Sequence, residues 1–158
     1  MKIRTHNFFS VGALTLLGSF FTRPAYSLIS AVIISYCANM IIDKYGHEKN
    51  GLGMSVRSYR THSPVTALFW GFLPALILFI IIYIVFSQKE YFVLFQGLLV
   101  GELHLFLDII TEGGIFINRK RVAYAHFRYN NPLLNLFFIA AGIILAFSAF
   151  KVFTWRLL

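Results

Sequence analysis

The chain has one cysteine, Cys37, so it has neither a disulfide framework nor a thiolate set from which a zinc site is usually built. Acidic residues are scarce too: Asp43, Glu48, Glu90, Glu102, Asp108 and Glu112 are the only 6 among 158 positions. No H-E-x-x-H segment marks a zincin-type protease and no G-x-S-x-G segment marks a serine elbow. There is no internal repeat, no low-complexity tract and no polar stretch long enough to make a soluble domain. What is present instead is apolar: 58% hydrophobic and 18% aromatic residues against 13% charged, with a mean hydropathy of +0.73. These proportions exclude an ordinary soluble domain and predict an integral membrane protein whose principal partner is the lipid bilayer. The net charge of +8 is then read as topology, since no nucleic-acid recognition module accompanies it.

Five apolar stretches run from Phe8 to Phe21, Ala25 to Ile42, Pro64 to Phe86, Tyr91 to about Thr111, and Leu133 to Phe153. They predict a single all-α domain over residues 1–158, an integral membrane bundle of about five transmembrane helices. Pro24 and Pro64 are natural helix starts, Gly113 and Gly114 stop the fourth helix, and Pro74 is expected to kink the third. The first stretch is short for a bilayer core of ~30 Å. MKIRTHNFF followed by apolar residues superficially resembles a signal peptide, yet no A-x-A cleavage site follows, so a retained first span is expected. Cys37 falls in mid-span as a small core residue.

In a five-span arrangement Lys2, Arg4, Lys44, Lys49, Arg57, Arg60, Arg119, Lys120, Arg121 and Arg128 share one side of the membrane. Only Arg23, Lys89, Lys151 and Arg156 share the other. The positive-inside rule then places the N-terminus in the cytoplasm and the C-terminus outside.

Threaded this way, ionisable residues gather at the inner face. Asp43 and His47 are spaced i, i+4 at the end of the second helix, with Asn39 extending the same stripe inward. His104, Asp108 and Glu112 repeat that spacing on the fourth. His6 begins the first helix and His62 the third. Ionisable groups at membrane depth are costly and point to a functional site. Imidazole and carboxylate donors without thiolates suit a divalent metal, zinc first and manganese or iron as alternatives, and such sites with an open position activate water. Simpler roles compete. Asp43 could pair with Lys44 or a loop arginine, Thr61, His62 and Ser63 could cap the third helix, and His47 or Glu112 alone could be a polar helix end. Glu102 lies off the stripe and is expected to make a structural hydrogen bond or helix contact, while His126 is expected to be solvated in a loop.

Four segments, THNFFS at 5–10, IIDKYGHE at 41–48, RSYRTHSPV at 57–65 and GELHLFLDIITEGGIF at 101–116, together resemble the membrane-bound metal-dependent hydrolase family of inner-membrane proteins. They are more similar still to a related group of uncharacterised archaeal membrane proteins. The resemblance rests on an N-terminal His before Phe-Ser, an acidic turn, a Thr-His-Ser element and a His-x-x-x-Asp helix ending in glycine. His6, His62, His104 and Asp108 match these, and Asp43 with His47 matches the acidic turn loosely. Arg57 stands where the family has the first His of its third element.

Two functions follow as expectations. In the first, the protein is a metal-dependent hydrolase at the cytoplasmic face. His6, Asp43, His62, His104 and Asp108 would hold one or two ions, and Glu112 or His47 would act as general base or as a further ligand. Arg57, Arg60, Arg119 and Arg121 would form a basic rim for an anionic, phosphate-bearing or lipid-like substrate. In the second, the protein is a non-catalytic structural or envelope component whose His/Asp stripes hold helices together. An ion or proton pathway ranks last, because the outer half is mostly Leu, Ile, Phe and Val apart from Gln96 and a few serines.

Overall fold

A computed structural model describes residues 1–49 and 55–155. Residues 50–54, in the loop expected to be extramembranous, and Arg156 of the charge count lie outside the described residues. Five helices follow in chain order: α1 (Ile3–Gly18), α2 (Pro24–Gly46), α3 (Pro64–Phe86), α4 (Tyr91–Ile109) and α5 (Pro132–Trp155). α2, α3, α4 and α5 are long and apolar enough to cross a membrane by length and composition. α1, with 16 residues, is ~24 Å long and shorter than the rest.

Two short hairpins, which the apolar periodicity did not reveal, join the helices at one end. β1 (His47–Lys49) pairs antiparallel with β2 (Ser55–Arg57), and β3 (Ile115–Ile117) with β4 (Lys120–Val122). Each strand is too short to show an alternating pattern in the sequence.

The helix boundaries follow from local chemistry. Pro24 and Pro64 occupy first-turn positions where a missing N–H costs nothing. Ser63 and Thr66 form a reciprocal capping box at the start of α3. α3 then runs as one helix through Pro74. α4 ends at Ile109: both the backbone N–H and the hydroxyl of Thr111 donate to the Asp108 carbonyl, at 3.0 and 2.9 Å, closing a turn. Gly114, at φ +59°, then directs the chain into β3. Glu112 is thereby outside the helix, so the expected i, i+4, i+8 stripe stops at Asp108.

The helices pack through small residues, as expected where no hydrophobic force drives one apolar helix onto another. The buried positions of α3 are Ala67, Gly71, Pro74 and Ala75, one face at helical spacing. A side chain on Gly101 of α4 would strike the Ala67 carbonyl, and one on Gly12 of α1 would strike that of Gly142 in α5. α1 and α2 run antiparallel, joined near one end by Asn39 Nδ2 donating to Asn7 Oδ1 at 2.9 Å and near the other by the Ser27 hydroxyl donating to the Thr15 carbonyl at 3.0 Å. At that second end Gln96 of α4 is fully buried: it accepts from Ser30 at 2.7 Å and donates to the Leu14 and Ser27 carbonyls at 3.2 Å. Between the two polar layers lies an apolar plug that includes Leu14, Ala31, Ile34, Ala38 and Val100.

Candidate metal centre

Four helices contribute to one polar layer. His6 comes from the second turn of α1, Asp43 from the last turn of α2, His62 from the residues just before α3, and His104 and Asp108 from the last turns of α4. His6, His62, His104 and Asp108 are fully buried, while Asp43 keeps 22% of its side chain exposed. The i, i+4 spacing of His104 and Asp108 places His104 Nε2 3.2 Å from Asp108 Oδ2. His62 Nε2 lies 3.5 Å from the same oxygen and 4.0 Å from Asp43 Oδ1, and His104 Nε2 is 3.6 Å from Asp43 Oδ1. His6 Nε2 is 3.2 Å from Asp108 Oδ1, and its ring stacks on that of His104 with centroids 4.0 Å apart. Ligand-type atoms of His6, His104 and Asp108 all fall within 4.8 Å of one another.

These atoms are close without being hydrogen-bonded. His6 Nε2, His62 Nε2, His104 Nε2 and Asp108 Oδ2 are all buried and none has a hydrogen-bond partner among the described residues. Buried polar atoms are almost always satisfied, so unsatisfied atoms this close to one another call for a partner. Imidazole and carboxylate lone pairs this close together are donors of the kind that could hold a divalent cation.

The far sides of two rings, those of His104 and His62, are held as those of metal-binding histidines usually are, whereas His6 Nδ1 is buried without a hydrogen-bond partner among the described residues. Asn39 Nδ2 donates to Asn7, so Asn39 Oδ1 is an acceptor; His104 Nδ1 donates to it at 3.0 Å and Nε2 is left with the lone pair. Nδ1 of His62 is engaged by the Thr61 hydroxyl at 2.8 Å. Burial, followed by the proximity of His104, holds the His62 imidazole well below its ordinary pKa, in the neutral form that ligates metals.

Asp108 is oriented from its other oxygen. Oδ1 accepts from Arg57 Nη2 at 2.5 Å and from the Met1 amino group at 2.9 Å. Arg57 Nη1 further donates to Thr111 Oγ1 at 3.2 Å and to the Gly114 carbonyl at 3.1 Å. Arg57 therefore belongs inside the centre as the partner of its deepest carboxylate, and the expectation that it forms part of an outer rim is corrected. Arg60, Arg119 and Arg121 are exposed. The β3–β4 hairpin bearing the last two is tied to the centre by Phe116, whose backbone N–H donates to the His62 carbonyl at 2.7 Å.

His47 ends α2 and is exposed, but its ring turns back so that Nδ1 donates to the Asp43 carbonyl at 2.6 Å. Asp43, His47 and His62 form a second group of ligand-type atoms within 4.8 Å of one another. Glu112 is exposed and belongs to neither group. Glu102 is half-buried on α4 and its side chain makes no hydrogen bond or ion pair among the described residues, so of the two roles expected of it the hydrogen bond is not found there. His126 is exposed. Asn7 and the Met1 amino group were missed in the sequence. Asn7 could have been found by its place beside His6, whereas nothing marks a terminal amine as a carboxylate partner.

The fold and this cluster define a helical membrane protein with a buried His/Asp centre at one end of its bundle. The chain belongs to the family described as "Protein of unknown function (DUF1286)", which matches residues 1–107 and so includes His6, Asp43, His47, Arg57, His62 and His104. No match was found among curated proteins or among solved structures.

Proposed function

We propose that this protein is a metal-dependent hydrolase whose ion is held by His6, His104 and Asp108, with zinc the first choice for such donors. The observation that supports this reading is the set of three buried, unsatisfied atoms, His6 Nε2, His104 Nε2 and Asp108 Oδ2, on residues whose ligand-type atoms lie within 4.8 Å of one another. Bound there, a divalent ion would lower the pKa of a coordinated water towards neutrality. The protein's own groups perform the rest. Asn39 holds the His104 ring, Arg57 holds the Asp108 carboxylate, and the apolar plug beneath excludes bulk water from the membrane side. Asp43, partly exposed, lies on the accessible side as the group able to take a proton. Arg119 and Arg121, on a hairpin tied to His62, suit an anionic or phosphate-bearing group better than a peptide. The charge bias places this end of the bundle in the cytoplasm, with α1 as a fifth span and the C-terminus outside.

A second reading, a structural knot between helices, is favoured by the compensation of Asp108 Oδ1 by Arg57 and the Met1 amine. Elemental mass spectrometry of detergent-purified protein separates the two. Stoichiometric metal in the wild type, lost in a His104→Ala, Asp108→Ala variant that still elutes as folded protein, supports the hydrolase and leads directly to assays with phosphoester and lipid substrates. Wild type that stays metal-free after reconstitution with zinc or manganese rejects it.

A further inference from the structure

The three donors of the buried centre leave a second group with no ligand role assigned. Asp43, His47 and His62 bring ligand-type atoms within 4.8 Å of one another on the accessible side of His104 and Asp108. Their chemistry is complete for a cation. The Asp43 backbone carbonyl can only accept, so the 2.6 Å contact from His47 Nδ1 fixes the proton there and leaves Nε2 with the lone pair. His62 Nε2 is fully buried and unsatisfied, an independent sign that a partner is missing at this position. The rings of His47 and His62 meet edge to face with centroids 5.5 Å apart.

The two carboxylates connect this group to the first. Asp108 Oδ2 lies 3.2 Å from His104 Nε2 and 3.5 Å from His62 Nε2. Asp43 Oδ1 lies 3.6 Å from His104 Nε2 and 4.0 Å from His62 Nε2. Each carboxylate thus faces a histidine of both groups, the arrangement in which carboxylates bridge paired ions. In two-metal hydrolytic centres the ions sit roughly 3.5–4 Å apart and clamp both the attacking and the leaving oxygen of a phosphoryl group.

We propose that the protein binds a second divalent cation through Asp43, His47 and His62, making the centre binuclear with Asp43 and Asp108 between the ions. This rests on the metal-dependent reading above and refines it. The inner ion, among fully buried donors, is the retained one. The outer ion, with an exposed His47 and a partly exposed Asp43, is the exchangeable one and the one a substrate phosphate meets.

Manganese is the probe, because two adjacent Mn(II) ions are spin-coupled and a single one gives an isolated six-line electron paramagnetic resonance signal. Purified protein is stripped with chelator, reloaded with Mn(II), desalted, and read by elemental analysis and low-temperature resonance. About two ions per chain with a coupled spectrum are expected for wild type. His47→Ala removes an exposed side chain whose contacts are the Asp43 carbonyl and the His62 ring, and it is read on protein that still elutes as folded. It is expected to keep about one ion and to show the isolated signal. Wild type that binds about one ion with an isolated signal overturns the second site and leaves the single-ion hydrolase standing. A His47→Ala variant still holding the coupled pair overturns the assignment of the donors. Wild type that binds neither manganese nor, reloaded in the same way, zinc overturns both readings.

Discussion

Arg57 shows how the residue scale constrains the centre. Its guanidinium satisfies Asp108 Oδ1, Thr111 Oγ1 and the Gly114 carbonyl together, so it welds the end of α4 to β2 and the turn into β3. Removing one partner of a buried pair leaves an uncompensated charge, typically at a cost of about 3–5 kcal/mol. Arg57→Gln is therefore expected to lower the midpoint of thermal unfolding in detergent by several degrees, and Arg57→Lys, which keeps the charge and loses the fork, by less; equal midpoints for all three proteins would refute the role. Asn39 acts on the metal side. Asn39→Ala frees the His104 ring to rotate and to change tautomer and removes the bond to Asn7; for the proposed ion it should weaken zinc retention about 10–100-fold in a chelator competition on protein that still elutes as folded. At this scale the sequence was legible where chemistry is costly: His104 and Asp108, set several residues inside an apolar span, stood out at once. Arg57 was misread because a basic residue in a loop has an ordinary explanation in the positive-inside pattern, and only the return of the chain from Gly114 brings it to Asp108.

Among the elements, the glycines decide which helices touch. Gly12 and Gly142 let α1 and α5 meet backbone to backbone. Gly12→Val places branched carbons against the Gly142 carbonyl and should cost about 1–3 kcal/mol, seen as earlier unfolding and as easier proteolysis of the chain around α5; an unchanged protein would mean that the contact is slack. Helix positions could be read from apolar runs flanked by Pro and Gly, and the agreement at Pro24, Pro64, Phe86 and Tyr91 reflects that chemistry. The end of α4 could not. Periodicity alone continued the helix through Glu112, while a hydroxyl donating to a carbonyl three residues back stopped it at Ile109. The hairpins were invisible for a related reason, since three-residue strands carry no period and are specified by where the flanking helices end.

For the whole molecule, the decisive geometric fact is that the N-terminal ends of α1 and α3 and the C-terminal ends of α2 and α4 meet in one layer. With Cys37 replaced by alanine, single cysteines at Arg4, Arg23, Arg121 and Lys151 can be probed with a membrane-impermeant thiol reagent. The five-span arrangement expects positions 4 and 121 to react from the cytoplasmic side only, and 23 and 151 from the other. Reaction of positions 4 and 23 on the same side would show that α1 does not cross.

The polar knot of Ser27, Ser30 and Gln96 at the opposite pole bears on how the molecule is made. α1 buries Thr5, His6, Asn7, Ser10 and Thr15, a heavy polar load for a helix of 16 residues entering lipid by itself. Several of its polar groups find partners on α2, α4 and α5, which follow it in the chain: Asn39 for Asn7, Ser27 for the Thr15 carbonyl, Gln96 for the Leu14 carbonyl, and Asn135 for the Thr5 hydroxyl at 2.5 Å. The polar side chains of α1 thus depend on segments that follow it in the chain. α1 is therefore expected to hold its place, and His6 its position in the centre, only when α2, α4 and α5 are present to receive it.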